Sequence, residues 1–221
     1  GHEIMDLLIE KAREGIEVLV IYDALGARKT RQGFWKKLHD AGGHTVAFFG
    51  YSLGFINWRI NYRNHRKIVV IDGKIGYVGG FNIGDEYLGK GKLGYWRDTH
   101  LRIVGDAVYS LQSRFFIDWN AAVHGEKRRE FVPEYFPVVE SLGQNMIQVV
   151  STGPDASLQK IKLGLIKMIS MAKKSVWIQT PYFIPDESVQ EALSIAALSG
   201  VDVRIMIPSK PDHPIVYRAT E

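Results

Sequence analysis

The chain has 221 residues, 46% of them hydrophobic and 24% charged, a composition typical of a globular protein with one good-sized core. Its longest stretch without Asp, Glu, Lys or Arg, residues 41–58, contains four glycines and does not resemble a bilayer-spanning helix. The absence of cysteine excludes disulfides. The net charge of +4 suits an anionic partner, either lipid headgroups or nucleic acid.

Helices and strands alternate in the first part of the chain. Apolar residues at helical spacing predict a helix over Ile4 to Arg13 that ends at Gly15, and a strand over Glu17 to Tyr22. A second helix is predicted near Gly33 to Ala41, followed by a short strand over Val46 to Phe49. This alternation predicts an α/β fold with a mixed β-sheet flanked by helices.

The rest of the chain continues the same pattern around one strongly charged segment. Strands are predicted over Leu101 to Val104, Met146 to Ser151 and Ser175 to Thr180. Helices are predicted between them, over Ala107 to Ala122 and Ser157 to Ala172. The charged run Gly125 to Glu134 is the best linker candidate. These features divide the chain into residues 1–124, a linker over 125–145 and a second domain over 146–221.

The stretch from His65 to Asn82, HRKIVVIDGKIGYVGGFN, carries the clearest functional signal. His65 and Lys67 are two residues apart and emerge on the same face of an extended segment. The strand after them reaches a hairpin turn at Asp72-Gly73. The returning strand ends in Gly79-Gly80, which lets the backbone pass close to the site and delivers Asn82 there.

These residue types suit chemistry at an anionic phosphorus centre. A neutral imidazole can attack phosphorus at physiological pH because its unperturbed pKa is near 6.5. Lys67 and Asn82 can hold the non-bridging oxygens whose charge is stabilised in phosphoryl transfer. Such a mechanism needs no metal and no cofactor, and no close cluster of metal-ligand residues surrounds the hairpin in the sequence.

The pattern His65-x-Lys67, Asp72, Gly79-Gly80-x-Asn82 resembles the signature of the phospholipase D superfamily at every position. Asn64 to Lys67, Tyr95 to Thr99 and Pro181 to Pro185 resemble bacterial cardiolipin synthases. This resemblance covers essentially the whole chain and implies a phospholipase D-like fold. It implies that His65 is the catalytic nucleophile that forms a phosphohistidine, with Lys67 and Asn82 on the phosphate. Asp72 belongs to the same catalytic signature, but its position at the turn favours a structural or indirect role.

The resemblance also implies substrate, partner and location. A phosphatidyl group passes from one phosphatidylglycerol through His65 to a second, releasing glycerol and giving cardiolipin at an anionic phospholipid membrane. The catalytic domain is then expected on the cytoplasmic side of a bacterial cell membrane. The residues alone establish only phosphodiester exchange, so two alternatives stay open: a phosphodiesterase acting on lipid or nucleic acid, and an inactive membrane-binding or dimerisation fragment.

Three further features have two interpretations each. Asp98 either accepts the imidazole N–H of His65 or pairs with Arg97 or Arg102. The glycine-rich loop over residues 86–96 is either a flap over the site or a loop without function. The aromatic and basic segment Phe48 to Arg66 either docks at an interface or packs its aromatics in the core.

An internal similarity suggests a duplicated fold. Glu187 to Ile207 repeats the pattern of Glu3 to Tyr22 at an offset of 185 residues, with Gly15 facing Gly200. The same offset moves His65 to position 250, beyond Glu221. We therefore expect one nearly complete repeat that lacks its opening strand, and the start of a second. The second motif comes from a C-terminal half or from a homodimer. His213 lacks the rest of the motif and is expected to be a pocket or structural residue.

Overall fold

A computed structural model of the chain describes residues 1–28, 30, 32–48, 63–92, 94–140, 143–153 and 156–209. It divides into two compact units, Gly1–Val149 and Val150–Glu221. The first unit contains, in chain order, α1 His2–Arg13, β1 Leu19–Asp23, α2 Gln32–Asp40, β2 His44–Phe48, β3 Ile68–Ile71, β4 Ile75–Gly79, β5 His100–Val104 and α3 Ala107–Ala122. The second contains α4 Lys160–Met171, β6 Ser175–Gln179, α5 Glu187–Leu198 and β7 Asp202–Met206. The predicted α/β class is confirmed.

The first unit has both parallel and antiparallel strand pairs. Strands β1 and β2 pair in parallel, with Leu19 opposite His44, and helix α2 connects them. Strands β3, β4 and β5 form an antiparallel sheet in that order. A parallel pair joined by a helix and an antiparallel meander are the arrangements that the alternation of elements predicts.

The hairpin between β3 and β4 turns where the sequence predicts it. Asp72 and Gly73 have φ values of 54° and 64°, so both are left-handed, and the Lys74 amide donates to the Ile71 carbonyl at 3.0 Å to close the turn. The pairing then places Ile68 opposite Val78 and Ile71 opposite Ile75. The turn therefore fixes the register that brings the residues before β3 close to the residues after β4.

Helix α3 packs on the inner face of the antiparallel sheet. Its Val108 and Leu111 are buried with Ile103 of β5, against apolar side chains of β3 and β4. A Cβ atom added to Gly76 would lie 2.7 Å from Cδ1 of Leu111, so this glycine permits the close approach of helix and sheet. The face that carries Ile68 and Val70 thus packs against α3, and the helix supports the strand that follows His65 and Lys67.

The segment predicted as a linker packs on α3. The Trp119 ring donates its N–H to the Lys127 carbonyl, and the Asn120 side chain both donates to and accepts from the backbone of Arg129. The Phe116 ring packs edge to face against Tyr135 at 4.8 Å. Residues 127–135 therefore belong to the packing of the first unit, while the predicted domain boundaries stay a prediction.

The second unit repeats one piece of the first. Helix α5 occupies the bounds of α1 shifted by 185 residues, and the glycines that end the two helices, Gly15 and Gly200, have φ values of 84° and 85°. Strand β7 follows α5 as β1 follows α1, and it pairs in parallel with β6. The buried residues Ile169, Leu193 and Ala196 form the core of this unit.

The structure corrects two predicted elements. The described residues 143–153 include no strand, so the prediction of a strand over Met146 to Ser151 was wrong. Four apolar residues form a strand only where a neighbour accepts their backbone hydrogen bonds, and no described residue pairs with them. The helix predicted from Ser157 begins at Lys160.

Candidate active site

His65 and Lys67 lie in the segment that leads into β3. His65 is exposed, and charges of Lys67, Arg63 and Asp23 act on its ring. The Lys67 ammonium donates to the backbone carbonyl of His65 at 2.7 Å. This bond holds the ammonium group beside the backbone that carries the imidazole.

The environment favours the neutral form of His65. Desolvation of the ring lowers the pKa of His65 below its ordinary value, and the positive charges of Lys67 and Arg63 lower it further. The carboxylate of Asp23 acts in the opposite direction. Because the unprotonated ring carries the nucleophilic lone pair, this shift increases the reactive fraction at neutral pH.

Lys67 connects the histidine to two carboxylates. Burial lowers the pKa of Lys67, and the charges of Asp98 and Asp23 oppose that effect. Asp98 precedes β5, and Asp23 ends β1. Ends of three strands therefore contribute charged side chains to one place.

The paired glycines make room for this arrangement. A Cβ atom on Gly80 would overlap the carboxylate of Asp98, and one on Gly79 would overlap the backbone of Thr99 and His100. The Gly80 amide donates to the Thr99 carbonyl at 2.9 Å. Gly79 and Gly80 are therefore closely approached by the residues before and at the start of β5, and the Asp98 carboxylate occupies the space beside Gly80.

Asn82 is exposed just after these glycines, with its amide in contact with the loop that follows. Its Nδ2 donates to the hydroxyl of Tyr87 at 2.7 Å. The Tyr87 ring packs against Phe81 and Trp96, and Phe81 stacks on His100. Through Tyr87 and Trp96, this aromatic cluster attaches residues 86–92 and 94–96 of the loop to the residues around Asn82.

Asp72 lies away from this group. It occupies the turn, five residues beyond Lys67, which at about 3.3 Å per residue is about 16 Å along the strand. Its left-handed backbone conformation is one that Asp tolerates better than most residues. The structure therefore places Asp72 in the turn and does not bring it to His65.

Asp98 has a different immediate partner from those the sequence suggests. Its Oδ1 accepts the backbone N–H of Thr99 at 2.7 Å, and its charge faces Lys67. Within the described ranges, no hydrogen bond joins Asp98 to the His65 ring and no ion pair joins it to Arg97 or Arg102.

Two carboxylates that the sequence analysis did not single out hold the motif in place. Asp23 accepts hydrogen bonds from the Arg63 guanidinium at 2.9 Å and from the backbone N–H of Asn64 at 3.3 Å. Asp118 of α3 accepts from the side chains of Asn64 and Arg66. Asp118 offers a sequence signal, because a charged residue lies next to Trp119 on the apolar stripe of a helix. Asp23 offers none beyond its place at the end of a strand.

Partial burial opposes the ionisation of Asp23, but hydrogen bonds from Arg63 and the Gly26 amide outweigh it and hold the pKa of this carboxyl below its usual value. Asp23 is therefore a permanent anion at neutral pH. Its charge lies close enough to affect both His65 and Lys67.

Comparison with protein families shows to which family the chain belongs. The model of the family described as "Cardiolipin synthase, PLD-like domain" matches residues 1–92 and 165–221. The chain belongs to this family. The first match includes the whole motif from His65 to Asn82, and the second includes the repeated helix and strand of the second unit.

Named bacterial relatives support the same assignment. The chain is 55% identical over all 221 residues to the cardiolipin synthase of Listeria innocua. It is 56% identical over the same length to the major cardiolipin synthase ClsA of Bacillus subtilis and to the cardiolipin synthase of Staphylococcus aureus. The chain spans about half the length of these relatives, 46% of the first two and 44% of the third.

Other sequence predictions lie outside the described residues or concern membranes and metals. Residues 49–62, most of the aromatic and basic segment, and His213 are not among the described residues. None of the helices in the described ranges has the length and apolar character needed to cross a lipid bilayer. In the same ranges, no three His, Asp or Glu side chains gather at a distance suited to a metal ion.

Proposed function

We propose that the chain supplies the nucleophile of a cardiolipin synthase-type phosphatidyltransferase. The observation that supports this most strongly is the exposed imidazole of His65, whose pKa is lowered, beside the cation of Lys67. The names of the relatives supply the substrate class, a phospholipid, which the geometry alone does not distinguish from other phosphodiesters.

The first step of the proposed reaction is attack on phosphatidylglycerol. An unprotonated ring nitrogen of His65 forms a bond to phosphorus while the bond from phosphorus to the glycerol oxygen breaks. The departing oxygen takes a proton from a general acid, and glycerol leaves. We assign this acid to the second His-x-Lys motif expected near position 250, or to a second copy of the chain.

The second step restores the histidine. A hydroxyl of another phosphatidylglycerol attacks the phosphohistidine, its proton passes to the group that acted as acid, and the bond from nitrogen to phosphorus breaks. The product is cardiolipin. Water in place of that hydroxyl would give phosphatidic acid, so exclusion of water determines whether transfer or hydrolysis dominates.

The residues around His65 have distinct roles in this proposal. Lys67 and Asn82 stabilise the non-bridging phosphate oxygens, and Asn82 can do so while bound to Tyr87 because its amide has two N–H donors. The charge of Asp98 favours the protonated form of Lys67. We place the reaction at an anionic phospholipid membrane of a bacterial cell, because both substrates are lipids and the named relatives are bacterial. The cytoplasmic side is the one that the resemblance to cardiolipin synthases implies.

A labelled-substrate experiment tests the proposal. The full-length protein is incubated with vesicles of phosphatidylglycerol carrying a labelled phosphate, quenched under alkaline conditions and analysed for lipid products and for label on His65. We expect labelled cardiolipin, free glycerol and a phosphohistidine, all of which disappear in His65→Gln.

Other outcomes would contradict the proposal. Phosphatidic acid without cardiolipin would indicate a phospholipase, and cleavage of nucleic acid without lipid products would indicate a nuclease. Vesicle binding that His65→Gln does not change, with no product and no phosphoenzyme, would indicate an inactive membrane-binding protein.

A further inference from the structure

The residues on both sides of His65 are attached to side chains from distant parts of the first unit. Asp118 of α3 accepts from Nδ2 of Asn64 at 3.3 Å and from Nη1 of Arg66 at 3.1 Å. Asp118 is only 3% exposed, and it also pairs with Arg114 one helical turn earlier. The two residues that flank His65 are thus attached to one buried carboxylate.

Asp23, at the end of β1, holds the two residues that precede His65. Its carboxylate accepts from the Arg63 guanidinium and from the backbone N–H of Asn64. It also accepts the Gly26 amide at 2.6 Å, which fixes the carboxylate itself in the turn after β1. Asn64 is therefore bound to Asp23 through its backbone and to Asp118 through its side chain.

Asn64 completes the arrangement with a local bond. Its Oδ1 accepts the backbone N–H of Arg66 at 3.0 Å, so the peptide bonds before and after His65 are bridged by one side chain. In the described part of the chain, no side chain makes a hydrogen bond to the His65 ring itself. The neighbours of the imidazole are fixed while its nitrogens stay available for chemistry.

The direction of the side chains explains why this arrangement orients His65. Asn64 and Arg66 both reach Asp118 on α3, which is the alternation of side chains that an extended segment shows, so His65 between them is directed away from the helix. Asp118 contacts the segment through Asn64 and Arg66, the two residues that flank His65. It therefore acts on the imidazole by fixing the position of its neighbours.

Stability alone is a poor explanation for a buried carboxylate between two arginines. Burying charges has a desolvation cost that their mutual attraction offsets only partly, and apolar replacements of such groups are often neutral or stabilising. A role in fixing one geometry accounts for the charges better, because a misplacement of about 1 Å can reduce a reaction rate about a hundredfold.

We propose that Asn64, Asp118 and Asp23 form a clamp of positioning residues that holds the His65 imidazole in line for attack on phosphorus. This inference rests on the proposed function for its reaction but not for its geometry. Asp118 and Asp23 contribute from two elements that the sequence separates from Asn64 by 54 and 41 residues.

The decisive experiment uses two matched asparagines. Asn64→Ala removes the side-chain bonds to Asp118 of α3 and to the backbone N–H of Arg66. Asn120→Ala, in α3 itself, removes a similar pair of bonds, one donated to the backbone of Arg129 and one accepted from it. In the full-length protein we expect Asn64→Ala to lower kcat by about tenfold to a hundredfold with KM changed less than about twofold. Asn120→Ala should keep kcat within about twofold while losing similar stability, on the scale of two hydrogen bonds.

A second measurement does not depend on the reaction. The ring signals of His65 in an NMR spectrum report its environment and mobility, and they are assigned through His65→Gln. We expect them to shift and broaden in Asn64→Ala and to stay unchanged in Asn120→Ala. Equal ring signals in both variants, or equal losses of kcat, would overturn the clamp.

Two further results separate the clamp from the proposed function. A mobile His65 ring in Asn64→Ala, in a protein that makes no cardiolipin, would support the clamp and refute the transferase. Full activity and an unchanged ring in Asn64→Ala would refute the clamp and leave the transferase intact. If Asn64→Ala fails to fold, Asp118→Asn replaces it and is compared with Glu17→Gln, which weakens another carboxylate–arginine pair in the same unit.

Discussion

At the scale of single residues, the protonation state of His65 depends on opposing neighbours. Desolvation and the cations Lys67 and Arg63 lower its pKa, while the anion Asp23 raises it. The same cation that lowers the pKa is the one expected to bind phosphate, so Lys67 both frees the nucleophile and attracts its target. His65 therefore does not need a separate base to become a nucleophile.

The pKa of His65 is expected to lie below its usual value of about 6.5 and to respond to its neighbours with opposite signs. Lys67→Gln should raise this pKa because it removes a positive charge, and Asp23→Asn should lower it because it removes a negative one. Titration of the ring by NMR measures both shifts. Lys74→Gln, at the other end of the hairpin, is the control and should leave the pKa unchanged.

Gly80 is expected to tolerate no side chain. Gly80→Ala places a Cβ in the space of the Asp98 carboxylate, and we expect a loss of about 1–3 kcal/mol in unfolding free energy with at least a tenfold lower rate. Gly33→Ala in α2 meets no atom within 4 Å and should stabilise by about 0.5–1 kcal/mol. Urea denaturation and the rate of phosphohistidine formation check both, and a Gly80→Ala protein as stable and active as the parent would contradict the packing.

At the scale of elements, the connection between β4 and β5 begins with a short helix next to the motif and carries an exposed side chain further along. A short 3₁₀ helix over Asp85–Leu88 places Tyr87 on Asn82, and Gly89 ends it with a φ of 72°. Further along, Tyr95 is 87% exposed. A loop attached at its base to Asn82, the residue that we propose to bind phosphate, can transmit its own ordering to the site.

Tyr87→Phe is expected to weaken the attachment of this loop to Asn82. It removes one neutral hydrogen bond, worth about 1 kcal/mol, so we expect about a fivefold lower kcat/KM for phosphatidylglycerol in the full-length protein. Tyr95→Phe removes the same hydroxyl from the exposed part of the loop and should change kcat/KM by less than about 1.5-fold, within the small range of surface substitutions. An equal effect of the two substitutions would show that the bond to Asn82 is unimportant.

Local patterns predicted the elements that local physics determines. The Asp72-Gly73 turn, the strands around it and helix α3 follow from turn chemistry and apolar spacing. The position of Asp118 on the apolar stripe of α3 is visible in the sequence, but its partner is not, because the bonds of Asp23 and Asp118 to Asn64 depend on which distant elements the tertiary fold brings together. The packed segment after α3 was interpreted from its charge, although its aromatic residues determine where it lies.

At the scale of the whole molecule, the two units share a helix and a strand joined by a glycine. Helices α1 and α5 have the same length, and each is followed by a parallel-pairing strand. Gly15 and Gly200 end these helices in the same left-handed conformation. Duplicated segments that retain such detail are expected to respond alike to the same substitution.

The two glycines therefore provide a quantitative test of the repeat. An alanine at either position is forced into a left-handed conformation, so Gly15→Ala and Gly200→Ala should each destabilise their own unit by about 1–2 kcal/mol. Neither added Cβ meets an atom within 4 Å, so the cost comes from the backbone alone and should be equal in the two units. Hydrogen exchange measured by peptide mass spectrometry reports α1 and α5 separately, with Gly164→Ala in α4 as a control without positive φ. A cost in one unit only would mean that the matching bounds do not reflect a shared helix ending, and the prediction of a second motif 185 residues after the first would lose its structural support.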